Sequence, residues 1–298
     1  MPSRPPTTSF ALFVRRHLGG VFIKTRRRRT PLKVPCNNCF VNELTMTVLG
    51  AATPFPTPGN PCSGYLVRFG DDSLWIDAGN GTFAELQRYI RLEELSAVWI
   101  SHLHADHFGD MPIAYYAYAF GGVKRAHRLR VAGPTGWAQR ISSFVSSDHV
   151  HTMSEIFDVF ELGVNDLSSV GEITIRSQRL RHNIESYGLR IEAAGLSIVY
   201  SGDTGPCQEL IDLARDGNLL LCEVGVDELV DEEHTYHCAP EDAGEIASEA
   251  RVQRLMLTHL SRTLEPEQAM RRAGRFFNGP ISVATPDSTV TISRNDRT

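Results

Sequence analysis

The strongest constraint on this chain is seven residues long: Ser101-His102-Leu103-His104-Ala105-Asp106-His107. It follows the apolar, β-branched run Ala97-Val98-Trp99-Ile100 and precedes a long apolar segment from Phe108 to Phe120, so it reads as a strand, a tight loop carrying ligands, then a helix. Three imidazoles and a carboxylate within six residues are hard to place by packing alone. Each ring buried without a partner costs desolvation free energy, and neighbouring rings repel when protonated. A divalent metal removes both objections, because neutral imidazole and carboxylate are the ligands zinc prefers. A solvated polar turn is the alternative for a single loop histidine; the cluster favours the metal.

Further along, short strands delivering polar residues recur. Met46-Thr47-Val48-Leu49-Gly50 is a plausible first strand, followed by Gly64 to Phe69 and Leu74-Trp75-Ile76, which ends at Asp77. Helices are predicted over Thr82–Leu92, Gly136–Val145, Pro206–Asp216, Pro240–Ala250 and Pro266–Phe277, and strands over Leu129–Val131, Glu172–Ile175, Leu189–Ile191, Leu196–Tyr200, Leu219–Cys222, Leu255–Thr258, Ile281–Ala284 and Val290–Ile292. Four strand ends, Ile100, the neighbourhood of Leu180, Tyr200 and Thr258, each release a metal-competent residue. Strand ends are where ligand sites of layered α/β folds gather.

Composition bounds the rest. With 298 residues, 42% of them hydrophobic, there is ample material for a sizeable core, and no apolar run approaches the roughly 20 residues needed to span a bilayer. Residues 1–45 stand apart: nine Lys or Arg against Glu43 give +8, so of the chain's formal −5 the body from Met46 onward carries −13. The Arg26 to Arg29 run admits an arm for nucleic acid or a membrane surface, or a transit peptide; a disordered extension or an over-long start upstream of Met46 is preferred. Cys36 and Cys39 have zinc-like spacing without a second pair. The six cysteines are scattered, which suits a reducing cytoplasm.

The chain resembles the metallo-β-lactamase superfamily, and within it the branch of ribonuclease Z and related phosphodiesterases, over essentially residues 46–295. His102-Leu103-His104-Ala105-Asp106-His107 is similar to the family's first motif, His182 to its third, Asp203 in Ser-Gly-Asp-Thr to its fourth and His259 in Leu-Thr-His-Leu to its last. The resemblance implies an α/β fold, a four-layer αβ/βα sandwich with metals at one rim. It also implies two divalent cations, zinc by preference with manganese or iron as alternatives. His102, His104 and His182 would hold one cation, Asp106, His107 and His259 the other, and Asp203 would bridge them. Such a pair shares a hydroxide and clamps both oxygens of an in-line displacement. Asp77 is then a carboxylate that orients the His loop, with an ordinary turn Asp as the alternative.

Asp106 is the candidate to orient or deprotonate the attacking water. Glu223 and His237 match residues that ribonuclease Z-like enzymes are thought to use on the leaving group, although Cys222-Glu223-Val224-Gly225 departs from the usual His-Glu-Ala-Thr, which leaves a structural Glu223 open. Ser186 and Arg190, in a stretch similar to the one after the third ligand in ribonuclease Z, are candidate phosphate contacts; Arg190 reads equally as a surface pair. His17, His127, His149, His151 and His234 match no motif and are set aside as ligands, His149 and His151 being candidates for the pocket rim. Tyr115, Tyr116, Tyr118 and Phe120 read as helix core.

No basic, Gly- and Lys-rich insertion of the kind that grips transfer RNA is evident between Gly133 and Glu172, and an acidic body is a poor start for binding phosphate-rich RNA. With Pro61-Cys62-Ser63-Gly64-Tyr65 and Ser186-Tyr187-Gly188-Leu189-Arg190, which look like those of actinobacterial cyclic-nucleotide phosphodiesterases, this favours a small phosphodiester. The leading expectation is hydrolysis of a 3′,5′-cyclic nucleotide, cyclic AMP to AMP. Transfer-RNA 3′ processing and acyl hydrolysis by the same centre (a lactonase or thioesterase) are the alternatives. No membrane partner is expected, and relatives' habits suggest a homodimer.

Overall fold

Alternation along the strands decides the layering. In Tyr187–Ala193, the residues Tyr187, Leu189, Ile191 and Ala193 are buried on one face while Arg190 and Glu192 are half-exposed on the other; side chains two apart share a face of a strand. The computed structural model describes residues 43–145, 152–163, 166–228 and 235–294, and in it this pattern produces two facing sheets. The chain lays down β1 (Glu43–Gly50), β2 (Gly64–Phe69), β3 (Asp72–Ile76), β4 (Ala97–Trp99), β5 (Leu129–Gly133) and β6 (Phe157–Glu161) in the first sheet. The second holds β7 (Leu167–Val170), β8 (Ile173–Arg179), β9 (Tyr187–Ala193), β10 (Leu196–Tyr200), β11 (Leu219–Glu223), β12 (Arg254–Thr258) and β13 (Ile281–Val283). The last strand, β14 (Thr289–Ser293), returns to pair antiparallel with β1, giving spatial orders β14-β1-β2-β3-β4-β5-β6 and β13-β12-β11-β10-β9-β8-β7.

Three apolar clusters cement four layers. Met46, Tyr65, Leu74 and Trp99 meet Ile175, Leu189, Ile198 and Leu221 between the sheets. Outside the first sheet, Leu66, Trp75 and Val98 pack under α1 (Thr82–Leu86), α2 (Ala105–Phe108), α3 (Met111–Phe120), α4 (Trp137–Ser142) and α5 (Met153–Ile156). Outside the second, Val199, Leu220 and Leu257 pack under α6 (Gln208–Ala214), α7 (Pro240–Glu249) and α8 (Pro266–Ala273). This is the αβ/βα sandwich expected from the motifs. Among the described residues no helix is long and apolar enough to cross a membrane.

Several boundaries differ from the sequence reading, with identifiable causes. The helix expected over Thr82–Leu92 is only Thr82–Leu86, and the segment expected as one helix after the His loop is divided into α2 and α3, with Asp110 taking up the N–H groups of Gly81 and Phe83 (2.8 Å each). Strands β6 and β7 carry mixed burial that disguised them. Tyr115 is buried and Tyr118 partly so, whereas Tyr116 and Phe120 are exposed. The four described cysteines, Cys62, Cys207, Cys222 and Cys238, are free thiols. The Cys36/Cys39 pair, the Arg26 to Arg29 run, His17, His149, His151 and His234 lie outside the described residues.

The first strand begins before Met46. Glu43, Leu44 and Thr45 pair with Ser293, Ile292 and Thr291, and Leu44 is fully buried in the inter-sheet core. A chain beginning at Met46 is therefore expected to be less stable than one beginning at Glu43 by about 2–5 kcal/mol, the range for deleting a buried leucine side chain. Urea midpoints of the two chains check this; coincident curves would show that Leu44 contributes nothing.

Candidate metal centre

The backbone explains how one short motif points four donors at one place. His104 is extended (φ −76°, ψ 144°), and residues two apart in extended chain face the same way, which aligns His102 with His104. The chain then turns into α2, carrying Asp106 and His107 in its first turn. So these two lie in a helix rather than in the expected loop. Gly79 lets this turn sit against the end of β3, since a Cβ there would fall 2.2 Å from the Asp106 carbonyl oxygen. From the second sheet come His182, between β8 and β9, Asp203 after β10 and His259 after β12. Gly202 precedes Asp203 at φ +57°, and a Cβ there would fall 2.9 Å from the Tyr187 carbonyl oxygen.

All seven expected donors converge. His102 Nε2 lies 3.1 Å from His104 Nδ1, which lies 3.3 Å from His182 Nε2. Asp203 stands in the middle: one oxygen is 3.6 Å from His102 Nε2 and 3.4 Å from His259 Nε2, and the other is 3.2 Å from His107 Nε2. Asp106 Oδ2 is 3.3 Å from His259 Nε2 and 3.8 Å from His107 Nε2. Among the described residues the seven form two donor sets, His102/His104/His182/Asp203 and Asp106/His107/His259, and a third, Asp203/His237/His259, overlaps both.

The contacts behind the rings settle which nitrogens face inward. Asp77, fully buried, accepts Ser101 N–H on one oxygen (2.7 Å); on the other it accepts His107 Nδ1–H (2.7 Å), the Ser101 hydroxyl (2.8 Å) and the Tyr200 hydroxyl (2.7 Å). With its proton given to Asp77, the Ser101 hydroxyl accepts His102 Nδ1–H at 3.0 Å. His182 Nδ1–H donates to the Tyr236 carbonyl at 2.9 Å. A ring whose Nδ1 carries the proton presents a bare lone pair at Nε2, so His102, His107 and His182 all present acceptors to the centre.

This arrangement fits a cation. His107 Nε2 and Asp203 Oδ1 are buried and 3.2 Å apart, yet neither has a hydrogen-bond partner among the described residues; two acceptors left facing each other call for positive charge between them. The electrostatics agree. Burial, reinforced by the neighbouring His107, holds His102 well below the usual histidine value, and burial takes His182 down to about 4. Burial alone would raise Asp203, but His107, His259 and His102 hold its carboxyl far below the usual range. Burial opposes charge on His107, but the carboxylates of Asp203 and Asp77 hold it well above the usual histidine value. The negative charge facing Nε2 therefore favours either a proton or a cation there, and a cation would take the proton's place on the lone pair.

Beside the donors stands a second pair. Glu223, fully buried at the end of β11, accepts His237 Nδ1–H at 2.8 Å, Thr204 N–H at 3.0 Å and Gly225 N–H at 2.6 Å. Burial pushes the Glu223 carboxyl up in spite of His237. Burial opposes the His237 imidazolium too, but the Glu223 carboxylate lifts it to about 9. The His237 ring stacks on His259 with centroids 5.8 Å apart.

Two expected contacts are corrected. Arg190 lies on the outer face of β9, away from the centre; its guanidinium donates to Glu192 (2.8 Å) and to the carbonyls of Leu213 (3.0 Å) and Arg215 (2.9 Å). Ser186 is fully buried and donates to the Asp203 carbonyl at 2.9 Å, so it holds the Asp203 backbone instead of presenting a hydroxyl to substrate. Ser101, Tyr200 and Thr53, whose hydroxyl donates to Asp106 Oδ2 at 3.3 Å, were missed by sequence reasoning. The serine was the one inside the motif, and the other two approach only through the fold.

Asp77→Asn is expected to weaken metal affinity about 10–100-fold, the usual cost of losing the partner behind a ligating histidine. Tyr200→Phe, which leaves Asp77 three of its four donors, should cost less. Competition with a chromophoric chelator measures both; equal wild-type affinity in Asp77→Asn would reduce Asp77 to a turn residue.

The comparisons point the same way. The model described as a beta-lactamase superfamily domain matches residues 73–260. An uncharacterised protein of Mycobacterium leprae is 33% identical over 261 residues, 86% of this chain and 92% of that one. The probable metallo-hydrolase YhfI of Bacillus subtilis is 28% identical, covering 81% of this chain and 97% of its own, and its crystal structure superposes with a TM-score of 0.75 at 25% identity over 84% of this chain and all of that one. Ribonuclease Z of Myxococcus xanthus is 25% identical, covering 85% and 99%. With a matching family model, the expected sandwich and a donor set gathered at one rim, this chain belongs to the metallo-β-lactamase superfamily of metal-dependent hydrolases.

Proposed function

We propose that this protein hydrolyses a small phosphodiester, a 3′,5′-cyclic nucleotide, at two divalent cations. The observation that carries the reading is the split donor set with Asp203 between its halves. His102 Nε2, His104 Nδ1 and His182 Nε2 would hold one cation, Asp106, His107 Nε2 and His259 Nε2 the other, and Asp203 both. Zinc suits five imidazoles; manganese or iron suits the carboxylates. When bound, such a pair supplies Lewis acidity to the phosphoryl oxygens and lowers the pKa of water.

The chain's own residues supply the rest. Asp106, fixed by the Thr53 hydroxyl, orients the attacking water and receives its proton. His237 serves the departing oxygen: with Nδ1 committed to Glu223, Nε2 is the nitrogen left to deliver a proton. Glu223, anchored by two backbone N–H groups, keeps that tautomer and supports the charge on the ring.

A small substrate is favoured because the described residues of 133–172, where an RNA-gripping arm is absent from the sequence, form α4, α5, β6 and β7 of the sandwich itself. The acidic body from Met46 onward supports the same choice. The second reading, transfer-RNA 3′ processing, is favoured by the likeness to ribonuclease Z. Metal analysis together with turnover of cyclic AMP, precursor transfer RNA, bis-p-nitrophenyl phosphate and acyl esters decides. Cyclic AMP hydrolysis is the expected result; cleavage of the RNA alone, or of acyl esters alone, would overturn it.

A further inference from the structure

Phe55 lies in the loop between β1 and β2 with half its surface exposed, and the guanidinium of Arg262 stacks over its ring, 4.3 Å from the centroid. The two residues come from opposite sheets. Phe55 is two residues beyond Thr53, which bonds Asp106, and Arg262 is three residues beyond His259. At up to about 3.6 Å per residue, their Cα atoms lie within about 7 Å and about 11 Å of those two. The β1–β2 loop, which reaches Asp106 through Thr53, and the segment after His259, whose ring lies 3.3 Å from Asp106, thus meet again at this pair. The turn carrying Arg262 is fixed by Ser261 N–H donating to the Val224 carbonyl at 2.9 Å, just beyond Glu223. Among the described residues no carboxylate pairs with Arg262, although the body is acidic.

From this juxtaposition we infer that Phe55 and Arg262 form a subsite for the heteroaromatic base of a nucleotide, rim-side of the Asp106–His259 contact. The inference rests on the phosphodiesterase reading and names the part of the substrate that reading leaves open. A guanidinium layered on a phenyl ring is a flat cationic platform. Its outer face stacks on a base, and its edge N–H groups reach the acceptors of a purine. The cations hold the phosphate, so base contact here sets affinity and selectivity without entering the bond-breaking step.

Binding tests the subsite without turnover. Equilibrium dialysis of the metal-loaded full chain against AMP and ribose 5-phosphate, which differ by the base, is expected to show AMP bound about 10-fold or more tighter, within the range for stacking one base. Phe55→Ala and Arg262→Ala are each expected to erase most of that preference while leaving ribose 5-phosphate unchanged. Phe55→Trp is expected to keep it, and Arg262→Lys, which retains charge but not planarity, to lose it. Equal wild-type affinity for the two ligands, or undiminished preference in both alanine variants, would overturn the subsite. Failure of the phosphodiesterase reading has a different signature: no cyclic AMP turned over by the wild-type chain, whatever its affinity for AMP.

Discussion

Replacing Asp203 with Asn is expected to reduce phosphodiester turnover by about 10³-fold or more and to lower bound metal from two ions to one or fewer per chain. Asp203 lies within 3.6 Å of histidines on both sides, His102 in one donor set and His107 and His259 in the other. Its carboxylate also carries the negative charge that a pair of cations needs between them. Asn keeps the shape and removes the charge. Shared metal clamps supply several kcal/mol of transition-state stabilisation, and each 1.36 kcal/mol is a decade in rate. The Asp203 backbone is held independently by Ser186, so the variant should fold, and its thermal midpoint in chelator should match that of the wild type in chelator. Turnover within 10-fold of wild type at full metal occupancy would remove Asp203 from the centre.

The second large effect is expected at His237. If its ring protonates the departing oxygen, His237→Ala should cost about 10²–10⁴-fold in kcat with a poor alkoxide leaving group such as that of cyclic AMP. With p-nitrophenolate, which leaves without a proton, the cost should be about 10-fold or less. Glu223→Gln should show the same dependence in weaker form, because the amide can still accept from Nδ1 but no longer stabilises a charged ring. Equal losses on both substrates would make the pair a structural prop. That outcome is the one the departure at Cys222-Glu223-Val224-Gly225 left open.

Much of this centre was legible because its information is local. His102 to His107 begin three residues after the end of a buried strand, and Asp203 and His259 follow within three residues of strands with apolar inner faces, so motif and strand end nearly coincide. The sandwich was legible for the same reason, since its inner strands are apolar runs. What stayed hidden depends on tertiary approach. Tyr200 reads as the last residue of a buried strand, and nothing in its neighbours shows that its hydroxyl crosses to Asp77 in the other sheet. Of the two readings of Arg190, phosphate contact or surface pair, the second holds, and a signal for it existed: Arg190 shares a strand face with Glu192, opposite Leu189 and Ile191, and that alternation turns it from the centre. Strand β7, with burial alternating only between partial and exposed, offers no apolar run to read.

The partition of the donors has a mechanical corollary. His102, His104, Asp106 and His107 ride on one sheet, and His182, Asp203 and His259 on the other. Prising the slabs apart at that edge therefore dismantles the cradle while both ladders remain zipped. Bound ions would act as a rivet through the two slabs. Chelation should accordingly quicken amide exchange along the loops after β4, β10 and β12 well before it reaches the strands themselves.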